Sequence, residues 1–165
     1  MKKNKRKLYD YIIHTDGAYS RLNDEGAFAY ILCDGSDNMI DRRGWKQNSN
    51  TGGTNNRMEL KAIIAAIQNL PKDAKVIRVE SDSQYALNTL SGRFQRRKNL
   101  DLFDIYENII AGKELDITWK WVRGHNGDKY NELCDEICNL ILGYDPSQEY
   151  KRGNFYVRQK IQSTT

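Results

Sequence analysis

Between Tyr9 and Trp45 three runs rich in β-formers follow one another, and then the apolar period changes from that of a strand to that of a helix. Tyr9–Thr15, Ala27–Cys33 and Met39–Trp45 read as strands, with Asp34-Gly35-Ser36-Asp37-Asn38 as the turn between the second and third. Short connections of this kind predict an antiparallel meander. Beyond the polar stretch Thr51-Gly52-Gly53-Thr54-Asn55-Asn56, the residues Leu60, Ile63, Ile64 and Ile67 recur at i, i+3, i+4 and i+7, the stripe of an amphipathic helix that Pro71 ends. A short strand at Lys75–Glu80, a helix at Asp82–Leu90 capped by Ser81 or Asp82, and a helix striped by Leu102, Ile105, Tyr106 and Ile109 come next. A strand at Asp116–Val122 and a helix striped by Leu133, Ile137, Leu140 and Ile141 complete the order. Three strands followed by helix–strand–helix–helix–strand–helix predict an α/β domain, a mixed five-stranded sheet flanked by helices.

Four acidic residues fall at the edges of these runs. Asp16 ends the first strand run, Glu59 opens the first helical stretch, Asp82 follows Val76–Ser81, and Asp135 lies within the last helix. Carboxylates brought to one end of a sheet can share divalent cations, and that arrangement points to metal-assisted phosphoryl chemistry. Each has a bland reading beside it: Asp82 as a helix cap, Glu59 as a first-turn carboxylate, Asp135 as an exposed helix residue.

Charge and cysteine content narrow the setting. The net charge of +4 is unevenly spread, with one basic cluster at Lys2, Lys3, Lys5, Arg6 and Lys7 and another at Arg93, Arg96, Arg97 and Lys98. Basic runs are commonly solvated tails, but beside a carboxylate site they favour a polyanionic partner. No apolar stretch approaches the roughly 20 residues needed to cross a bilayer. The three cysteines cannot all pair, and Cys134 and Cys138 lie one turn apart on an apolar face, which suits small buried side chains in a reduced compartment. A cytoplasmic monomer is the expectation. Residues 1–7 are expected to form a basic tail, 8–145 the domain, and 146–165 a polar and basic C-terminal tail; Met1 and that tail favour an independent chain.

The specific signals are four blocks in order: Thr15-Asp16-Gly17-Ala18, Thr54-Asn55-Asn56-Arg57-Met58-Glu59-Leu60, Ser81-Asp82-Ser83-Gln84-Tyr85, and Gly124-His125-Asn126-Gly127 through Asn131-Glu132-Leu133-Cys134-Asp135-Glu136. Together they resemble ribonuclease H type I. The resemblance implies that fold and an endonuclease that cuts the RNA strand of an RNA–DNA hybrid, leaving 3′-hydroxyl and 5′-phosphate ends. It implies two Mg²⁺ ions (Mn²⁺ as a possible substitute) held by Asp16, Glu59, Asp82 and Asp135, with His125 taking a proton from the attacking water or aiding product release. Asn55, Asn56 and Gln84 match residues that touch the minor groove of the hybrid, and Thr54 and Asn99 match a pocket for a DNA-strand phosphate. His14, inside the first strand, is expected to be structural.

Two departures stand out. The glycine- and proline-rich turn usual after the first strand is replaced by Tyr19–Gly26, which carries Asp24 and Glu25. The long basic protrusion of many cellular members is reduced to Ser91-Gly92-Arg93-Phe94-Gln95-Arg96-Arg97-Lys98. Weaker substrate binding is the expected cost, offset in part by phosphate contacts from Arg93, Arg96, Arg97 and Lys98. The competing readings are a catalytically silent nucleic-acid-binding module of the same fold, the partner domain of a reverse transcriptase, and a transposase or integrase of the same superfold.

Overall fold

The computed structural model describes residues 8–48 and 52–143; the expected tails at 1–7 and 146–165 lie outside the described residues. Five strands, β1 (Tyr11–Ser20), β2 (Glu25–Asp34), β3 (Met39–Gln47), β4 (Val76–Ser81) and β5 (Asp116–Trp121), form one sheet in the order β3-β2-β1-β4-β5. The pairs β1–β2 and β2–β3 are antiparallel, whereas β1–β4 and β4–β5 are parallel. The helices are α1 (Asn55–Gln68), α2 (Gln84–Leu90), α3 (Leu100–Ala111) and α4 (Lys129–Leu142). The expected mixed sheet and element order are those observed.

Strand alternation sorts the core into two layers. Ile13, Tyr30, Leu32, Ile77 and Val79 pack under Leu60, Ile63 and Ile67 of α1, together with Leu87 of α2 and Leu102, Phe103 and Tyr106 of α3. On the other side Ile12, Ile31 and Cys33 meet Tyr130 and Cys134, and Ala27 and Ala29 meet Ile137 and Cys138, all from α4. Full burial of each large aliphatic side chain contributes about 2 kcal/mol, so the helical stripes dominate the driving force. The two α4 cysteines and Cys33 are free and buried, as small apolar fillers.

Three of the boundaries that differ from the sequence expectation bear on the site. β1 runs on to Ser20, so Asp16 sits inside the strand rather than at its end. Pairing with β2 as far as Ser20↔Glu25 sustains the extension, a cross-strand stabilisation invisible in the β1 segment alone. α1 opens at Asn55, capped by Thr54, whose hydroxyl accepts from the Arg57 N–H at 3.1 Å; Glu59 therefore lies in the second turn, not at the start. α2 is capped by Ser83 through a 3.1 Å bond from the Ala86 N–H, not by Ser81 or Asp82, which leaves the Asp82 carboxylate free of a capping role.

Candidate active site

Pairing between β1 and β4 ends at His14↔Glu80. Past that point β1 continues alone on this edge, and the Thr15 hydroxyl donates to the Glu80 carbonyl at 3.3 Å where the ladder stops. β4 ends at Ser81, still paired with Trp121 of β5, and delivers Asp82 beside the edge of β1 that β4 leaves unpaired. Such a gap at the carboxyl end of a parallel strand is where open α/β sheets place their ligands.

The close approach of α1 to β1 brings in Glu59. A Cβ on Gly17 would lie 2.4 Å from both the Glu59 nitrogen and the Met58 carbonyl carbon, so only glycine lets the helix backbone lie this near the strand. Asp16, Glu59 and Asp82 thereby offer carboxylate oxygens all within 4.8 Å of one another. Asp135 enters from α4, half-buried, and its negative charge raises the proton affinity of both Asp16 and Asp82.

Electrostatics report the crowding. Burial, then the charge of Asp82, pushes Asp16 up to about 8, partly opposed by a hydrogen bond with the Glu59 carboxyl. Burial and the Asp16 charge push Glu59 well above the usual carboxylate range, and burial followed by Asp135 raises Asp82. Glu59 Oε2 is buried without a hydrogen-bond partner. An unpaired, desolvated carboxylate oxygen costs free energy unless a cation or proton answers it. The donor set is all hard oxygen, which suits Mg²⁺ or Mn²⁺ better than softer metals.

Asn131 opens the last part of the fourth motif block, where the sequence gives it no role of its own. It is buried, and its side-chain amide favours the ionised form of the Asp82 carboxylate. The available signal was its spacing: Asn131 precedes Asp135 by one helical turn on α4. His125 is exposed in the β5–α4 loop with φ of 56°, and its charge acts on Asp82, favouring the ionised carboxylate. In the same loop a Cβ on Gly124 would meet Asp82 Oδ2 at 2.8 Å, so the loop lies directly against that carboxylate.

The substrate-binding candidates divide into exposed and engaged residues. Asn56 and Gln84 are exposed. Asn55 is exposed too, while its Oδ1 accepts from the Tyr19 N–H at 2.9 Å, tying the altered turn to the start of α1. Asn99 takes a left-handed conformation with φ of 57°, donates to the Tyr85 hydroxyl at 2.9 Å and accepts from Arg57 at 3.3 Å. Arg57, which stands in the second motif block without an assigned role, clamps Asp101 through two bonds of 2.9 and 2.7 Å, holding the Asp101 carboxyl down to about 2. Thr54, Arg57 and Asn99 are thus prearranged as one polar corner between α1 and α3.

Within the shortened basic loop, Arg96 differs from its neighbours. It donates to the Thr89 and Leu90 carbonyls at 2.9 and 3.2 Å, pairs with Glu107, and stacks 4.7 Å over the Phe103 ring. Arg93, Arg97 and Lys98 are exposed. Ala substitution of Arg96 is expected to cost stability, about 1–2 kcal/mol by urea unfolding, whereas Arg97→Ala with Lys98→Ala should leave the midpoint unchanged. Next to this loop a cleft of about 210 Å³ is lined by Gln84, Asn88, Arg93, Trp119 and Trp121 among others.

The model of the RNase H family matches residues 9–140. A ribonuclease H of Pseudomonas fluorescens is 32% identical over 154 residues, covering 85% of this chain and 95% of that protein. One from Polaromonas naphthalenivorans is 33% identical over 78% of this chain and 84% of its own length. Among solved structures, the N-terminal RNase H domain of a Mycobacterium tuberculosis protein, studied as a fusion with maltose-binding protein, superposes with a TM-score of 0.69 at 16% identity, over 82% of this chain and 97% of that one. By its sequence relatives, its matching family model and its fold, the chain belongs to the RNase H family.

Proposed function

We propose that this ribonuclease H hydrolyses the RNA strand of RNA–DNA hybrids at the Asp16–Glu59–Asp82–Asp135 site, leaving 3′-hydroxyl and 5′-phosphate ends. The observation that carries the reading is the convergence of three carboxylates within 4.8 Å, with proton affinities raised by burial and by each other. Asp16, Glu59, Asp82 and Asp135 would hold two divalent cations, Mg²⁺ by the chemistry of the donors. Such ions lower the pKa of an attacking water and neutralise charge on the departing oxygen. The side chains' part is to exchange their shared proton for metal, with Asn131 favouring the ionised form of Asp82.

His125 stands exposed at the rim beside Asp82, where an imidazole can accept a proton from water or assist product release. His125→Ala is expected to slow turnover by about 10- to 1000-fold while metal dependence persists; complete loss of metal response would overturn the assignment. Asn55, Asn56 and Gln84 present amides, which donate and accept and can follow 2′-hydroxyls and base edges without sequence preference. The corner of Thr54, Arg57 and Asn99 is a candidate seat for a DNA-strand phosphate. Arg93, Arg97 and Lys98 would add nonspecific phosphate contacts, so the Arg97→Ala/Lys98→Ala pair should raise KM and flatten its salt dependence.

A role in removing RNA primers and R-loops follows if the substrate is a hybrid. The test is cleavage of end-labelled RNA within a hybrid, with Mg²⁺ and with EDTA, beside single-stranded RNA, double-stranded RNA and duplex DNA. Metal-dependent cutting of the hybrid alone supports the proposal. Binding without cutting would favour a silent module, and cutting of duplex DNA a transposase-like activity.

A further inference from the structure

A second group of ligating side chains lies one step along β1 from the active site. His14 is 2% exposed, and its Nε2 lies 2.7 Å from Asp37 Oδ1, so in the neutral ring Nε2–H donates to that carboxylate. The lone pair then resides on Nδ1, which is buried with no hydrogen-bond partner. Facing it are the Glu80 carboxylate, with Oε2 at 3.6 Å, and Asp128; ligand atoms of His14, Glu80 and Asp128 lie within 4.8 Å of one another.

We propose that His14 Nδ1, Glu80 and Asp128 form a structural site for a zinc-class divalent cation, separate from the catalytic carboxylates. The distances suit an ion better than a proton. At 3.6 Å the Nδ1···Oε2 separation is too long for a hydrogen bond. Two donors each about 2.1 Å from a tetrahedral ion stand roughly 3.4 Å apart, close to this spacing. Asp37 supplies the carboxylate that metal-bound imidazoles characteristically hydrogen-bond through their other nitrogen, fixing tautomer and ring orientation. Asp128 uses Oδ1 to cap α4 by accepting from the Asn131 N–H at 2.9 Å, so its other oxygen can ligate without uncapping the helix. The imidazole selects zinc-like ions over Mg²⁺, which prefers oxygen alone.

Glu80 Oε2, the oxygen that faces His14 Nδ1, also accepts from Arg78 at 3.1 Å, while Oε1 pairs with Lys120 at 3.3 Å. A carboxylate oxygen offers two lone pairs, so an ion at Oε2 shares that atom with Arg78 or draws it away from the guanidinium, and the half-exposed Lys120 on Oε1 can swing into solvent as positive charge arrives. The bound ion would clip together β1, the end of β4 and the start of α4, just after the loop that carries His125. Neither the proposed activity nor its metals require this site.

The test is zinc binding to the full chain, stripped with EDTA and held in millimolar Mg²⁺ to fill the catalytic carboxylates. Competition with a chromophoric chelator reads affinity and stoichiometry, and thermal unfolding in EDTA checks each variant's fold. One zinc equivalent is expected, raising Tm. His14→Gln, Glu80→Gln and Asp128→Ser should each weaken it at least tenfold, while Asp37→Asn weakens it about tenfold through the lost orienting bond. Asp128→Ser keeps a capping hydroxyl, so it decides the matter even if a core variant misfolds. Asp16→Asn should leave this equivalent intact. Zinc lost in Asp16→Asn but kept in Asp128→Ser would assign it to the catalytic carboxylates and overturn the proposal. Loss in Cys33→Ser with retention in Asp128→Ser would move the ion to the Nε2 side, where Cys33 and Asp37 also lie within 4.8 Å of His14, and would overturn it equally. Absence of any zinc equivalent would leave His14 as a buried ion-pair partner alone.

Discussion

Replacing Asp16 by Asn is expected to abolish hybrid cleavage and, in the absence of metal, to make the protein more stable. Both effects have one cause. Burial and the Asp82 charge push the Asp16 carboxyl up to about 8 in the fold, against an ordinary value of 3.8. The folded state therefore binds a proton that the unfolded chain releases, and stability falls as pH rises from about 4 towards 8. Glu59 and Asp82 are shifted in the same direction and add to the same slope. A neutral amide at position 16 removes its share of that penalty. In EDTA at pH 8 the variant should melt roughly 3–6 °C above the parent, with the gap closing towards pH 4. Added Mg²⁺ should raise the parent's Tm far more than the variant's. Cleavage should fall by about 10³-fold or more, roughly 4 kcal/mol in barrier. Asp82→Asn should behave alike, with a smaller stability gain because Asp82 is less buried. Near-normal turnover in either variant would refute the assignment of this site, and a Tm gap independent of pH would refute the electrostatic account.

Gly17→Ala should be severely damaging for the addition of one methyl group. The added Cβ would stand 2.4 Å from the Met58 carbonyl carbon and the Glu59 nitrogen, and 2.7 Å from the Met58 oxygen. All three are backbone atoms of α1, so no rotamer change relieves the clash. The helix must move off β1, and overpacking of this kind costs about 3 kcal/mol or more. The same displacement draws Glu59 away from Asp16, so activity and divalent-ion affinity should fall even in molecules that remain folded. Urea unfolding measures the first effect and Mg²⁺ titration of cleavage the second. Gly112→Ala is the matched control, because a Cβ there meets only the Ile109 oxygen at 4.0 Å. A Gly17→Ala variant with an unchanged urea midpoint would mean that the strand–helix approach is looser than described.

Much of this was legible in the chain. Helical stripes such as Leu60, Ile63, Ile64 and Ile67 arise from a period of 3.6 and survive any tertiary context, so the helices and their order could be read directly. The acidic residues were legible because each sits within a distinctive local motif. Boundaries were less so. β1 extends past Asp16 because β2 pairs with it as far as Ser20, and cross-strand pairing leaves no trace in the segment itself. Ser83 rather than Ser81 or Asp82 caps α2, a choice among three adjacent polar residues that depends on the direction in which β4 leaves the sheet.

Arg96 illustrates the other limit. In sequence it belongs with Arg93, Arg97 and Lys98 as one basic run; in space it turns inward to two carbonyls, Glu107 and the Phe103 ring. Nothing in a run of like charges distinguishes the member that packs from those that stay in water. His14 carries the same lesson: as a strand histidine it reads as structural, and only the fold sets Asp37 at one of its nitrogens and Glu80 with Asp128 at the other. The sequence by itself determined the element order, the α/β class, and the family, because local periodicity and contiguous motifs are properties of neighbours along the chain. The tertiary structure alone decided how closely the carboxylates crowd, in which direction their proton affinities move, and which buried polar atoms among the described residues are left without a hydrogen bond. Those are properties of distance and burial between residues far apart in the chain, and they exist only once β1, β4, α1 and α4 have closed around one gap in the sheet.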